Sequence, residues 1–151
     1  MGDTTLKEVR RILSSRTPRM FDKVSLMSAG VLLLLYPKEE EYSIHLNIRT
    51  GRVEHHKGEI AFPGGGMDSV DVDVQATALR ETHEEIGVHP ADVDILGILD
   101  QETTRSGFLI TPFVGTIPYP YEFLPSTAEV AEILEVPVSA LLNPCLLYTS
   151  D

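Results

Sequence analysis

Residues 58–88 read GEIAFPGGGMDSVDVDVQATALRETHEEIGV, and the rest of the chain is arranged around this stretch. Residues 62–66 end in three glycines, which predicts a turn whose backbone can adopt positive φ or approach a ligand closely. Residues 73–86 contain good helix formers, and Gly87 is a typical helix stop. The stretch therefore predicts a glycine-rich turn followed by one helix.

This helix carries three carboxylates. Glu81, Glu84 and Glu85 are spaced i, i+3 and i+4, so they share one face and repel one another. A hard divalent cation such as Mg²⁺ takes oxygen ligands and bridges carboxylates to phosphates, so it would offset that repulsion. Arg80 can pair with Glu84 and hold the rotamers in place. A solvated acidic helix face is the alternative reading. The neighbouring face, which can pack inward, carries Leu79, Thr82 and Ile86.

The three glutamates belong to a longer sequence motif. Gly65, Asp71 and the run Arg80-Glu81-Thr82-x-Glu84-Glu85-x-Gly87-Val88 resemble the Nudix box, the signature of hydrolases that cleave a diphosphate linked to another moiety. The commonest form of that box has a Glu eight residues before the Arg. Here Val72 occupies that position, and Asp71 lies nine residues before Arg80.

A second segment resembles one particular branch of this family. The pattern Arg49-Thr50-x-x-Val53-x-x-His56-x-Gly58-x-Ile60-Ala61-Phe62-Pro63-Gly64-Gly65 is similar to the coenzyme A diphosphatase branch of the family. Residues 106–112 and the position of Asp71 also resemble this branch. Glu54 stands where the branch typically has a basic residue. The resemblance implies four candidate substrate contacts, namely Arg49, His56, Phe62 and Gly64.

The resemblance also implies a fold and a reaction. The fold is an α/β/α sandwich of the α+β class with a mixed sheet. Mg²⁺ or Mn²⁺ would be held by Glu81, Glu84 and Glu85, with Gly65 as a further ligand. Catalysis would use Arg80 and a general base, either Glu81 or Glu84, while Glu129 or Glu132 could add another carboxylate near the metals.

Three functions are compatible with these residues. Hydrolysis of coenzyme A or an acyl derivative to 3′,5′-ADP and phosphopantetheine is the first. Glu54 keeps open a second, hydrolysis of ADP-ribose or a nucleoside triphosphate. The third is a non-catalytic nucleotide-binding module, but such a module would be expected to lose box carboxylates that this chain retains.

Composition limits the partners. A net charge of −11 argues against nucleic acid, because binding its phosphates needs clustered Lys and Arg. Cys145 is the single cysteine, so no disulfide framework is expected. The apolar run at residues 31–35 is too short to span a bilayer. We expect a cytoplasmic protein that binds a small molecule and no membrane, either as a monomer or as a homodimer.

The remaining elements follow from periodicity. Apolar residues at helical spacing predict a short helix over 6–14, and residues 24–36, 42–49, 95–99 and 108–115 predict strands. Residues 126–138 are compatible with a helix or a strand, and 138–142 with a helical turn. We expect one domain over 1–151, with a helix and linker at 1–23. Family members usually continue for another strand and a long helix, so we expect a truncated chain whose residues 145–151 are a non-native tail.

Overall fold

The structure is a computed structural model that describes residues 2–21, 25–51 and 58–141. Four of the residues discussed above, Val53, Glu54, His56 and Cys145, lie outside this part of the chain, as does the expected tail at 145–151.

A mixed sheet forms the middle layer of the fold. Its central path runs β3-β2-β1-β7-β5, where β1 and β7 are parallel and the other neighbours are antiparallel. Shorter additions pair β4 with β1, β6 with β7 and β8 with β2. The strands are β1 (Met27–Lys38), β2 (Glu41–Arg49), β3 (Ile60–Ala61), β4 (Gly64–Gly66), β5 (Asp94–Ile98), β6 (Glu102–Thr103), β7 (Phe108–Thr116) and β8 (Val130–Pro137).

Helices cover both faces of this sheet. Successive side chains of β1 point to opposite faces, so Leu32 and Leu34 join a core with α2 (Val74–Ile86), whereas Leu35 joins a core with α1 (Gly2–Ser15). The short α3 (Val138–Leu141) follows β8. The α+β fold with a mixed sheet is therefore confirmed.

The helix α1 packs on β5 through Leu6, Val9 and Leu13, as its spacing predicts. Arg10 of this helix pairs with Asp94 of β5 at 2.7 Å, and Arg16, which follows the helix, pairs with Asp100 at 2.5 Å.

One predicted segment differs in the structure, and one that the sequence left open is now assigned. The three glycines form strand β4 rather than a turn, because without side chains their backbone can pair with β1 at Ala29–Val31 and still lie against α2. The segment 126–138, compatible with a helix or a strand, contains strand β8, which pairs with β2 over Ser43–Arg49. That pairing supplies backbone partners that the sequence does not reveal.

Candidate active site

The helix α2 is fixed in place at both ends and along one face. Asp73 caps its first turn by accepting from the N–H of Ala76 at 2.8 Å. Gly87 ends it in the left-handed conformation, with φ of 76° and its N–H bonded to the carbonyl of His83. Thr82 and Ile86 are fully buried, as predicted.

In this orientation of the helix, the three predicted carboxylates differ in their exposure to solvent. Glu85 is buried against the sheet with 8% of its surface exposed, whereas the side chain of Glu84 is 52% exposed. Glu81 lies between these extremes, with 18% of its side chain exposed. The three residues share a helix face, but they stand in very different environments.

Burial and neighbouring carboxylates shift the pKa values of Glu81 and Glu85. Burial, followed by the charges of Glu81 and Glu129, raises the pKa of Glu85 to about 8. Burial also raises the pKa of Glu81, with further contributions from Glu84 and Glu129 and an opposing one from Arg80. Glu129 therefore lies close enough to act on both, and Glu132 is not among the groups that do so.

Arg80 connects the helix to the preceding loop. Its Nε and Nη2 donate to the two carboxylate oxygens of Asp71 at 2.9 and 3.0 Å. Nη1 is shared between Glu81 at 3.4 Å and Glu84 at 3.3 Å. Charge and hydrogen bonding from the guanidinium hold the pKa of Asp71 far below its usual range. Asp71 thus pairs with the arginine, despite lying nine residues before it.

The strand β4 lies directly against these carboxylates. A Cβ atom placed on Gly65 would lie 2.7 Å from Cδ of Glu81, closer than real contacts allow. A side chain at this position would therefore have to displace the Glu81 carboxyl group. The glycine is required here by close approach, as the sequence suggested.

A cleft of about 390 Å³ opens on the other side of β4. Arg49, Phe62 and Gly64, three of the four candidate substrate contacts, line it together with Gly65. Across the described part of the chain, Nε of Arg49 is the buried side-chain polar atom without a hydrogen-bond partner. The rest of the lining comes from Ala29, Val31, Glu59, Ala61, Gly66, Thr104, Ser106, Phe108 and Ile110.

The donor set suits a divalent cation. Within residues 2–21, 25–51 and 58–141, no three His, Cys, Asp or Glu side chains are gathered closely enough to hold a metal ion. Glu81 and Glu84 instead share the Nη1 group of Arg80. Carboxylate oxygens are nevertheless the ligands that Mg²⁺ and Mn²⁺ prefer. Burial and neighbouring carboxylates raise the pKa of Glu81 and Glu85, so a cation bound beside them would stabilise their ionised forms.

One site residue was missed by the sequence reasoning. Asn47 on β2 is 3% exposed, and its Nδ2 donates to Oε1 of Glu85 at 3.3 Å. The available signal was the alternation of β2, because Ser43, His45 and Asn47 occupy every second position. These polar side chains are buried, although the apolar residues between them appear the better core candidates from sequence.

Comparison with known proteins agrees with this geometry. The NUDIX domain family matches residues 27–144. A protein from Enterobacter sp. (strain 638), named uncharacterized Nudix hydrolase NudL, is 35% identical over 141 residues, covering 93% of this chain and 73% of its own length. Peroxisomal coenzyme A diphosphatase NUDT7 of Mus musculus is 32% identical over 138 residues, covering 91% of this chain and 58% of its own length.

A solved structure shares the fold at low sequence identity. The NUDIX domain of Shewanella oneidensis NrtR, determined with ADP-ribose, superposes with a TM-score of 0.59 and 18% identity. The superposition covers 87% of this chain and 84% of that one. Among the described residues, no helix is both long and apolar enough to cross a bilayer.

Proposed function

The chain belongs to the Nudix hydrolase family, and we propose that it cleaves the diphosphate bond of coenzyme A or an acyl-coenzyme A. The products are 3′,5′-ADP and the corresponding phosphopantetheine. The observation that carries this proposal is the position of Gly65. This residue lines the cleft, and the carboxyl group of Glu81 lies directly against it. The similarity to the mouse coenzyme A diphosphatase supports this choice of substrate.

Binding follows from the lining of the cleft. Arg49 is a cation with an unpartnered Nε, which suits a phosphate oxygen of the substrate. Phe62 and Phe108 offer aromatic surface to the base or to the pantetheine arm. His56 remains a predicted contact, since it lies outside the described residues.

The chemistry is hydrolysis of a phosphoanhydride. Water attacks one phosphorus atom, the bond from that atom to the bridging oxygen breaks, and each product retains one phosphate of the former diphosphate. Glu81, Glu84 and Glu85 would hold Mg²⁺ or Mn²⁺, with Gly65 as a further ligand. When bound, such an ion neutralises phosphate charge and lowers the pKa of water.

The protein residues divide the remaining tasks. Glu81, whose carboxyl group lies against Gly65 of β4, is the better placed general base. Glu84 lies at the exposed end of the group, where it accepts from Arg80. Arg80, held by Asp71, orients both carboxylates.

ADP-ribose is the second candidate substrate. The Shewanella domain with a similar fold was determined with this ligand, and Glu54 departs from the basic residue typical of the coenzyme A branch. Both candidates contain a diphosphate, so the same carboxylates serve either one. The two substrates differ in the groups attached to the diphosphate, which the cleft would have to accommodate.

The test is a product assay with Mg²⁺ and with Mn²⁺. Coenzyme A, ADP-ribose and nucleoside triphosphates are supplied separately, and the products are separated by chromatography. We expect 3′,5′-ADP from coenzyme A, with kcat reduced at least about 100-fold in Glu81→Gln and Glu85→Gln. Glu122→Gln, which removes an exposed carboxylate from the loop after β7, is the matched control. Unchanged turnover in Glu84→Gln and Glu85→Gln would rule out the assignment, and turnover of ADP-ribose alone would select the second candidate.

A further inference from the structure

A chain of contacting polar side chains crosses the sheet and ends at Glu85. At the surface, Nζ of Lys38 bonds Oε1 of Glu135 at 2.7 Å, and the other oxygen of Glu135 accepts from the Tyr36 hydroxyl at 2.9 Å. That hydroxyl lies 3.3 Å from Nδ1 of His45. These side chains come from β1, β2 and β8, so the chain joins three adjacent strands.

The inner half of this chain lies within β2. Nε2 of His45 lies 2.9 Å from Oδ1 of Asn47, and Nδ2 of Asn47 donates to Oε1 of Glu85 at 3.3 Å. His45 is fully buried, and Phe123 packs against its ring with 5.0 Å between ring centroids. Solvent therefore cannot replace either partner without opening the core.

The ionised form of Glu85, which is the form that binds a cation, determines one orientation for these groups. A carboxylate only accepts hydrogen bonds, so the amide end of Asn47 that faces it is the NH₂ group. The amide oxygen then faces Nε2 of His45, which must carry a proton. Burial lowers the pKa of His45 and so favours the neutral ring, whose single N–H is then on Nε2. Nδ1 carries no hydrogen in this form, and the Tyr36 hydroxyl donates to Glu135, so the contact of Tyr36 with Nδ1 is not needed for the orientation of the amide. The ring thus locks the amide in the orientation that offers a donor to Glu85.

Such an arrangement is costly if it serves only the core. Burying an amide and an imidazole requires every polar atom to be paired, whereas apolar side chains of similar volume would pack without that requirement. The carboxyl group of Glu85 is the feature that the chain meets at its inner end. An oriented donor to that group, beside the backbone N–H of Gly64 that also bonds it, is the arrangement that typically supports a metal-binding carboxylate.

We propose that Asn47, locked by His45, is a positioning residue that holds Glu85 in the orientation required for binding the divalent cation. This inference rests on the proposed function for the identity of the bound group. It adds two residues of β2 to a site otherwise built from α2, β4 and the cleft. Neither residue touches substrate.

The test measures Mn²⁺ affinity in the absence of substrate, by calorimetry or by electron paramagnetic resonance of free Mn²⁺. Asn47→Leu replaces the amide by an apolar side chain of similar size, and we expect Mn²⁺ affinity to fall about 10- to 100-fold. With substrate present, we expect kcat to fall by more than KM rises. Mn²⁺ affinity within twofold of wild type in the folded variant would overturn the proposal.

The role of His45 is tested by a pair of variants. His45→Phe removes the donor to Asn47, whereas His45→Gln can place an amide N–H near the position of Nε2. We expect a smaller loss of Mn²⁺ affinity in His45→Gln than in His45→Phe. Equal losses in the two variants would overturn the locking role, and this pair remains informative if Asn47→Leu fails to fold.

Thr116→Val is the matched control for stability. It removes another buried hydrogen bond from the same sheet, between the Thr116 hydroxyl and the carbonyl of Leu35 at 2.7 Å. We expect it to lower Tm about as much as Asn47→Leu does while leaving Mn²⁺ affinity unchanged. A wild-type protein that binds Mn²⁺ but hydrolyses none of the diphosphates would refute the proposed function and leave this inference standing.

Discussion

Asp71 and Arg80 form a bidentate ion pair, in which both carboxylate oxygens accept hydrogen bonds from the guanidinium at 2.9 and 3.0 Å. The side chain of Asp71 is 3% exposed, and Arg80 is 25% exposed, so solvent competes little for this pair. The remaining guanidinium nitrogen faces Glu81 and Glu84. An acidic residue in the loop thereby positions the arginine that faces Glu81 and Glu84.

Asp71→Asn should therefore reduce activity without removing a metal ligand. The neutral amide cannot accept two charge-assisted hydrogen bonds, so Arg80 becomes free to pair more closely with Glu81 and Glu84. We expect kcat to fall roughly 10-fold. Asp68→Asn removes the same charge from the same loop, but the carboxylate of Asp68 accepts from Ser69, and its turnover should match wild type. Equal losses in the two variants would contradict the specific role of Asp71.

Gly65→Ala should separate metal binding from stability. The added Cβ would lie 2.7 Å from Cδ of Glu81, but that carboxyl group is the far end of a flexible side chain and can move aside. We expect a small change in Tm and a loss of Mn²⁺ affinity of about 10-fold or more, because the displaced carboxylate no longer faces the site. Gly51→Ala, which meets open space, is the control for both measurements. Mn²⁺ affinity that survives intact would place Glu81 outside the metal site.

The raised pKa of Glu85 predicts a pH dependence with a definite sign. Its pKa rises from an ordinary value of 4.5 to about 8 in the folded protein. Between those values the folded metal-free protein holds a proton that the unfolded chain releases, so stability should fall as the pH rises from about 5 to 8. Measuring Tm across this pH range in the presence of a metal chelator tests this. The Tm of Glu85→Gln, whose side chain cannot titrate, should decline less with rising pH.

Metal binding should show the opposite trend. Mn²⁺ requires the ionised carboxylate, so each pH unit below about 8 should cost roughly tenfold in apparent Mn²⁺ affinity. A pH-independent affinity between pH 6 and 8 would contradict a role for Glu85 as a ligand.

Arg49→Gln should act mainly on substrate binding. The variant removes the cation of the cleft, whose Nε has no partner within the described structure. A lost charge-assisted hydrogen bond to phosphate is worth about 1.5–3 kcal/mol, so KM for coenzyme A should rise roughly 10- to 100-fold. Arg105→Gln, an exposed arginine in the loop before β7, is the control for general charge effects. A KM unchanged from wild type would remove Arg49 from the substrate contacts.

Local patterns in the chain were enough to locate the acidic helix α2. Its start at Asp73, its end at Gly87 and the inward face of Thr82 and Ile86 follow from interactions between residues within four positions of each other. The main strands were predicted for the same reason, since alternation and turn residues are local signals. The family resemblance followed from the same contiguous stretch.

The tertiary structure decided what depends on residues far apart in the chain. Burial of Glu85 beside an exposed Glu84 arises because α2 packs on β1 and β4, with Asn47 of β2 against Glu85, and spacing along α2 cannot reveal this. Strand pairing also converts the glycine turn into β4. The link from Asn47 to Glu85 spans 38 positions, so only folding could bring the amide to the carboxylate.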